Sequence, residues 1–312
     1  MTQRPADSEA AGEVLAGLFG ASKTYAARRA VVHAVTDVDL AVRAGELVAV
    51  LGPNGAGKTT ALGMLTGLTV PTAGSARLFG RDPRDLVARR QIGVMLQSSG
   101  VPDTLRVREL LTAFRGYYPS PMRYGSVVEA AGLQGLEDRL FGTLSGGQQR
   151  RVLFGIALCG DPRLVFVDEP TTGLDAEVRR TLWATLRDLA GHGRGVVLTT
   201  HYLEEADALA DRIVVLNRGR VIAEGSPAQI KSLVPGRRIA AESTIGAEQA
   251  SGWAGVHQAQ RDGTRLELLV SEPEPVLREL LHRDPSVAGL TVTEPTLEDA
   301  FLTLTHPTEE AA

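Results

Sequence analysis

A glycine-rich segment that leads into a lysine and two threonines is the strongest chemical signal in this 312-residue sequence. It follows an apolar run at residues 47–51 and consists of Gly52, Pro53, Asn54, Gly55, Ala56, Gly57, Lys58, Thr59 and Thr60. Glycines let successive backbone N–H groups point at one anion, and the start of a helix adds the positive end of its dipole. Lys58 supplies a charge for phosphates, and Thr59 supplies a hydroxyl for Mg²⁺. The pattern predicts a phosphate-binding loop rather than a plain turn before a helix.

Two acids, Asp168 and Glu169, end another apolar run at residues 164–167. Ligands of open α/β sheets bind at the carboxyl ends of the strands, so these acids are expected at that edge. We expect Asp168 to hold Mg²⁺ through water, and Glu169 to act as the general base or to orient the attacking water. In isolation the pair could be solvated acids, but beside a phosphate-binding loop it indicates nucleotide hydrolysis.

A second candidate anion site opens a predicted helix with Ser145, Gly146, Gly147 and Gln148. A serine and two glycines at a helix start can bind an anion, although in isolation they would form a simple N-cap. One phosphate chain needs one such cradle on each subunit. The second cradle therefore suggests a nucleotide shared between two chains.

Short apolar runs alternate with helical periodicity through the first two thirds of the chain. Runs at residues 47–51, 164–167, 195–200 and 213–216 predict strands of a largely parallel sheet covered by helices. Residues 70–74 predict a turn, and residues 104–140 are helix-rich. After residue 236 the composition changes, and strands at 265–270 and 290–292 with two helices predict a small α+β appendage.

Composition and charge exclude several classes of protein. Apolar residues make up 43% of the chain, which suits a globular protein, and the net charge of −4 argues against a nucleic-acid partner. The single cysteine, Cys159, excludes an intramolecular disulfide and lies in an apolar run, so we expect it to be buried. No run of the sequence is apolar enough to span a membrane, which predicts a cytoplasmic protein.

In this order, the motifs resemble those of the ATP-binding cassette (ABC) ATPase family. Residues 52–60 match its Walker A motif, residues 164–169 its Walker B motif and residues 144–148 its signature. By this resemblance Gln97 is the glutamine of the Q-loop, Asp175 belongs to the D-loop and His201 is the switch histidine. Tyr25 sits where the family places an aromatic ring against adenine. The resemblance thus adds Gln97 and His201 to Lys58 and Glu169 as catalytic residues, and Gln97 to Thr59 and Asp168 as Mg²⁺ contacts.

The resemblance also implies an architecture. The expected fold is α/β, a P-loop cassette with a largely parallel sheet core, an antiparallel β part and a helical subdomain at about residues 98–160. The expected divisions are a flexible tail at 1–13, the ATPase domain at 14–236 and the α+β domain at 237–308. Two such chains are expected to pack head to tail, with ATP between the signature of one chain and the Walker A motif of the other.

Residues 198–212 and 294–305 are similar to drug-export ATPases of the daunorubicin-resistance type. This resemblance implies an ATP-binding and ATP-hydrolysing subunit that powers efflux of a drug-like or amphipathic molecule through a separate membrane-spanning permease. The chain would touch the membrane only through that permease, at its cytoplasmic face. By analogy the permease would dock near Gln97 and the helical region 104–125, which includes Tyr117 and Tyr118, and the alternative is that these tyrosines belong to a local core.

The alternative is an ABC protein that acts on the ribosome, on DNA or in cluster assembly. The single cassette and the net charge of −4 disfavour a ribosomal role, and the lack of a long coiled coil disfavours a role on DNA. The cassette count leaves an assembly factor open, although residues 294–305 fit one poorly.

Overall fold

A computed structural model of the chain describes residues 12–27, 30–96, 100–234 and 236–305. Its contacts divide the chain into two units between Glu224 and Gly225. This division comes before the expected one at residue 236, because the short helix at Pro227–Ser232 packs against the last helix, Leu297–Thr305, within the second unit.

The strands of the first unit are β1 (Val14–Ala27), β2 (Ala30–Arg43), β3 (Leu47–Leu51), β4 (Ala73–Leu78), β5 (Ile92–Met95), β6 (Leu164–Asp168), β7 (Gly195–Thr199), β8 (Arg212–Asn217) and β9 (Arg220–Gly225). The unit is built around a sheet with the strand order β5-β6-β7-β3-β8-β9, in which β5, β6, β7, β3 and β8 are parallel. A smaller antiparallel sheet has the order β2-β1-β4. The helices are α1 (Lys58–Leu65), α2 (Leu86–Arg89), α3 (Val107–Arg115), α4 (Tyr124–Ala130), α5 (Gly146–Leu158), α6 (Ala176–Gly191) and α7 (Leu203–Leu209).

Strands β3, β6 and β7 are buried along their whole length, as expected for parallel strands covered on both faces. The predicted mixed α/β fold with a largely parallel core is confirmed. The predicted turn at residues 70–74 is wrong at its end, because Ala73 and Gly74 already belong to β4, and Ala73 pairs with Ser22 of β1. Strands β5 and β9 were not predicted.

Helices α3, α4 and α5 form a helical group in which α5 packs against both of the others. Cys159 follows α5 and is fully buried, and its thiol lies 3.4 Å from the carbonyl oxygen of Gly155. Burial raises the pKa of the Cys159 thiol to about 12. The expectation of a buried, unreactive cysteine is therefore confirmed. No helix of the described residues combines the length and the apolar character that crossing a membrane requires.

The elements of the second unit are α8 (Pro227–Ser232), β10 (Arg237–Glu242), α9 (Ala247–Ser251), β11 (Val256–Asp262), β12 (Arg265–Val270), α10 (Pro273–Arg283), β13 (Ala288–Thr293) and α11 (Leu297–Thr305). Its antiparallel sheet has the order β11-β12-β10-β13, and the prediction of a small α+β appendage did not include β10 or β11.

Apolar side chains of β10, β12 and α10 form the core of this unit. On β10, Arg238 directly precedes the buried Ile239 and forms ion pairs with Asp299 and Glu267.

Asp284, which ends α10, joins the loop after β10 to the turn after α10. Its carboxylate accepts hydrogen bonds from Ser243 Oγ at 2.8 Å, from the Thr244 N–H at 2.6 Å and from the Ser286 N–H at 3.0 Å. Bonds from Ser286, Thr244 and Ser243 hold the pKa of Asp284 well below its usual value of 3.8. The ionised carboxylate therefore stabilises the folded unit.

We expect Asp284→Ala to lower the thermal unfolding midpoint at pH 7 by several degrees, because it leaves several donors unpaired. A lowered pKa contributes stability that is present above the unfolded pKa of about 3.8 and is lost as the pH falls through the lower folded pKa. The difference between wild type and variant should therefore shrink below pH 4. Calorimetry across this range, with the exposed Asp262→Ala as control, checks the prediction. Equal midpoints at pH 7 would contradict it.

Candidate active site

The candidate residues lie along the carboxyl ends of three adjacent strands. Strand β7 lies between β6 and β3, and Thr199 is in register with Asp168 on one side and Val50 on the other. The glycine-rich loop after β3, the acids at the end of β6 and the segment after β7 therefore share one edge of the sheet. This is the edge at which parallel sheets bind ligands.

The loop after β3 depends on glycine. Gly57 caps α1 with a φ of +103°, and a Cβ atom there would lie 2.3 Å from the carbonyl oxygen of Ala34 on β2. Gly55 also has a positive φ, +80°, with open space around it. The loop encloses the Lys58 ammonium group, which donates hydrogen bonds to the carbonyl oxygens of Gly52 at 2.6 Å and Pro53 at 3.2 Å. Asn54 and Thr59 are exposed, Thr60 and Pro53 are half-buried and Ala56 is buried.

Lys58 is the positive charge of this edge. Burial lowers its pKa, and the acids Glu169 and Asp168 partly offset that effect. The three side chains are therefore close enough to interact electrostatically, as the sequence predicts. An anion that displaced the two carbonyl partners of Lys58 would gain a charge-assisted bond.

Asp168 and Glu169 are held differently, although they are neighbours. Asp168 is buried, and its carboxylate accepts a hydrogen bond from the Thr199 hydroxyl of β7. Glu169 has a φ of +49°, which is unusual for a residue with a side chain. Its N–H donates to the Thr199 carbonyl at 2.9 Å, and its own carbonyl accepts from the Arg150 guanidinium at 2.6 Å. These bonds fix the backbone in this conformation, and such strain is concentrated at functional sites.

His201 lies beside Glu169. Its Nδ1 atom is 3.1 Å from Glu169 Oε1, and its side chain is half exposed, whereas that of Glu169 is largely buried. The pair combines an acid with a ring that can carry a proton, at hydrogen-bond distance. The structure thus brings together Lys58, Asp168, Glu169 and His201.

The signature segment starts α5 with a capping box. Ser145 Oγ accepts from the Gln148 N–H at 3.3 Å, and the Gln148 side chain accepts from the Ser145 N–H at 3.0 Å. Ser145 and Gly146 are exposed, and Gly147 lies against Leu174 just before the D-loop aspartate. These side chains bond to each other and not to the glycine-rich loop of their own chain.

Three remaining candidates have different outcomes. Asp175 is an exposed N-cap of α6 and accepts from the Val178 N–H at 2.9 Å. Tyr25 is exposed on β1, with the Lys23 ammonium 5.2 Å from its ring centre. Strand β2, which pairs with β1 there, contacts the loop at Gly57. Gln97 lies outside the described residues.

Two further residues of this edge were not predicted from the sequence. Thr199 binds Asp168 and the backbone of Glu169, and Arg150 binds the Glu169 carbonyl. The signal for Thr199 was its place at a strand end, two residues before His201. For Arg150 the only signal was its position on the helix that the signature opens.

The chemistry of these residues fits a nucleotide and a magnesium ion. The loop offers an open, glycine-lined backbone with a lysine, which is the donor set that phosphates require. Within the described residues, no group of three or more acids, histidines or cysteines could hold a metal by itself. The Asp168 carboxylate and the Thr59 hydroxyl are oxygen ligands of the kind that Mg²⁺ takes together with phosphate oxygens.

Comparison with known proteins identifies this arrangement. Residues 35–172 match the ABC transporter family. The Nod factor export ATP-binding protein I of Rhizobium sp. (strain N33) is 38% identical, and the match covers 87% of this chain and 91% of that protein. The chain belongs to the ABC transporter family. It is an ATP-binding subunit and an ATPase, and the prediction of an ABC cassette is confirmed.

Other relatives of this ABC transporter subunit agree. The daunorubicin/doxorubicin resistance ATP-binding protein DrrA of Streptomyces peucetius is 37% identical over 90% of this chain and 92% of that protein. A solved dimeric ATP-binding cassette in a post-hydrolysis state, bound to ADP and Pi, is 28% identical with a TM-score of 0.63. The match covers 68% of this chain and 98% of the chain of that solved structure. A second solved structure, an ATP-binding subunit of an ABC transporter, also has a TM-score of 0.63 at 27% identity and covers 70% and 92%.

Proposed function

We propose that this ABC transporter subunit powers the export of a drug-like or other amphipathic molecule through a separate membrane-spanning permease. The observation that carries the proposal is the match to an export subunit and a drug-resistance subunit over about nine tenths of the chain. Both of these relatives favour export over the ribosomal, DNA-binding and assembly alternatives.

In this proposal each residue at the sheet edge has one task. Lys58 and the N–H groups of the glycine-rich loop bind the phosphates of ATP, and Tyr25 stacks on the adenine. Thr59, Asp168 and Gln97 hold Mg²⁺, which would neutralise charge on the phosphates. Glu169 takes a proton from the attacking water or orients it, and His201 holds Glu169 and contacts the terminal phosphate. The 3.1 Å contact between His201 and Glu169 supports this division of tasks.

The signature and the D-loop act across a dimer. Ser145 and Gly146 are exposed at the start of α5, where their N–H groups and hydroxyl can meet the ATP bound by a second chain. Asp175 is exposed at the start of α6 and would contact the same partner. A solved relative, which is a dimer with ADP and Pi, supports a dimer for this chain, and we infer a head-to-tail arrangement for it.

The permease would dock in a groove beside the end of β5. The groove has a volume of about 270 Å³ and an apolar lining that includes Leu68, Leu96, Phe114 and Tyr118. Tyr117, 73% exposed, makes an edge-to-face contact with Phe114, with the ring centres 6.0 Å apart. A helix of the permease with an apolar face would fit this groove and hold the subunit at the cytoplasmic face of the membrane.

The test is affinity purification of the tagged protein from detergent-solubilised native membranes, with and without ATP. We expect a stoichiometric partner with several membrane spans, and a loss of that partner when Tyr117 and Tyr118 are both replaced by alanine. The paired control replaces Tyr202 instead, an exposed tyrosine outside the groove. Recovery with ribosomal or assembly proteins, and no membrane protein, would contradict export while leaving the ATPase in place.

A further inference from the structure

Glu205 is a buried acid that none of the motifs explains. It lies in the first turn of α7, four residues after His201, and it has no exposed surface. Its neighbours on the buried face of α7 are Ala206 and Leu209. A carboxyl group buried among apolar side chains is costly unless hydrogen bonds compensate it, so its partners show what it holds.

The Glu205 carboxyl group receives hydrogen bonds from three segments. Trp183 Nε1 of α6 donates to Oε1 at 2.9 Å, and the Thr171 hydroxyl donates to Oε2 at 3.3 Å. The side chain of Thr200 forms a further hydrogen bond to it. Thr171 and Thr200 are themselves buried, so water does not substitute for these bonds.

Two of these partners adjoin the reacting residues. Thr171 comes two residues after Glu169, and its carbonyl accepts from the Leu174 N–H at 3.0 Å, in the turn that leads to the D-loop. Thr200 directly precedes His201, and its hydroxyl accepts from the Tyr202 N–H at 2.9 Å. One carboxyl group therefore ties the chain after Glu169 to the chain on both sides of His201.

We propose that Glu205 is a positioning residue of the ATPase site, which keeps His201 and Glu169 in contact by bonding the segments that carry them. Glu205 acts through these segments and touches no reacting atom. The proposal rests on the roles proposed above for Glu169 and His201. The indole of Trp183 anchors the carboxyl group to α6 and so fixes the position from which it holds both threonines.

The pKa of Glu205 reflects both its burial and its three hydrogen-bond donors. Burial raises the pKa of Glu205, while hydrogen bonds from Thr200, Trp183 and Thr171 and the charge of Arg179 oppose that rise. A carboxylate has enough lone pairs to accept all three bonds at once. Removing it leaves three donors unpaired, two of them on buried threonines, so both segments are free to shift.

The test compares Glu205→Ala, Glu205→Gln and Thr171→Val in steady-state ATPase assays of the full chain. We expect Glu205→Ala to lower kcat by about 10- to 100-fold with KM for ATP within about twofold, because small misplacements of reacting groups reduce turnover more than binding. Glu205→Gln should recover most of that loss, since its oxygen accepts from Trp183 and its amide can donate to a threonine hydroxyl. Thr171→Val removes one bond without changing volume and should lower kcat several-fold.

The matched control is Thr185→Val, which makes the same change from threonine to valine at a position on α6. The Thr185 hydroxyl bonds to the carbonyl groups of Thr181 and Ala130. This control variant should leave kcat unchanged. Wild-type kcat in both Glu205→Ala and Thr171→Val would overturn the proposal, as would a loss that the folded fraction measured by circular dichroism fully explains. If Glu205→Ala does not fold, Thr171→Val alone decides by the same criterion.

Failure of this proposal is distinguishable from failure of the site assignment. Glu169→Gln tests the assignment by itself, because it leaves the Glu205 bonds in place. If Glu169→Gln is inactive while the Thr171 and Glu205 variants turn over normally, only the role of Glu205 is overturned. If Glu169→Gln is active, the roles given to Glu169 and His201 are wrong.

Discussion

Replacing Glu169 by glutamine is expected to abolish steady-state ATP hydrolysis while ATP binding persists. Glutamine has nearly the same shape but cannot accept a proton, and loss of a general base costs about 10²- to 10⁴-fold in rate. The phosphate-binding loop, the Lys58 ammonium group and the Thr199 partner of Asp168 remain as they are. Phosphate release measures the rate, and a fluorescent ATP analogue measures binding.

The same variant should accumulate as an ATP-bound dimer, since ATP favours the closed form and hydrolysis no longer removes it. Size-exclusion chromatography with and without ATP detects the shift in mass. The control is Glu129→Gln, which makes the same change at an exposed position on α4 and should hydrolyse ATP normally. Wild-type phosphate release by Glu169→Gln would remove Glu169 from the reaction.

Lys58→Ala is expected to lose measurable nucleotide binding, and with it all turnover. The ammonium group is the only basic side chain of the glycine-rich loop, and a hydrogen bond to a charged group contributes about 1.5 to 3 kcal/mol. Loss of more than one such bond to the phosphates weakens affinity by at least about 100-fold. Titration with a fluorescent ATP analogue checks the affinity directly.

The sequence contains three lysines, and one of the other two provides a matched control for Lys58→Ala. Lys231→Ala in α8 removes the same charge from the second unit and should bind the analogue as the wild type does. If Lys58→Ala binds the analogue with wild-type affinity, Lys58 does not contribute to phosphate binding by the loop. A shared loss in both variants would show an effect of net charge instead.

Most of the site could be predicted because its residues end strands that are buried on both faces. The apolar runs of β3, β6 and β7 are short and unbroken, so the residues after them had to share one edge of the sheet. Glu205 could not be recognised in the same way. With Glu204 it forms a pair of acids in a first helical turn, which the helix dipole alone would explain. Only its place on the face of Ala206 and Leu209 distinguishes it.

The second unit was harder to predict because charge obscures the strand pattern. Strand β10 begins with Arg237 and Arg238, and the partners that compensate Arg238 come from α11 and β12, far along the chain. Strand β11 is mostly polar and partly exposed, so it has no clear alternation of apolar residues. In β4, Ala73 and Gly74 have a turn composition, and pairing with β1 decides their conformation. These outcomes depend on long-range contacts that local sequence does not encode.

The left-handed backbone at Glu169 has a consequence for evolution and for engineering. Glycine or asparagine would adopt this conformation at a free-energy cost about 1 kcal/mol lower than glutamate. Selection for thermal stability alone would therefore favour replacement of Glu169, whereas its proposed role in turnover would favour its retention. Stability and activity oppose each other at this residue. A screen that ranks variants by melting temperature would favour inactive substitutions here, so residue 169 has to be held constant in any effort to stabilise the chain.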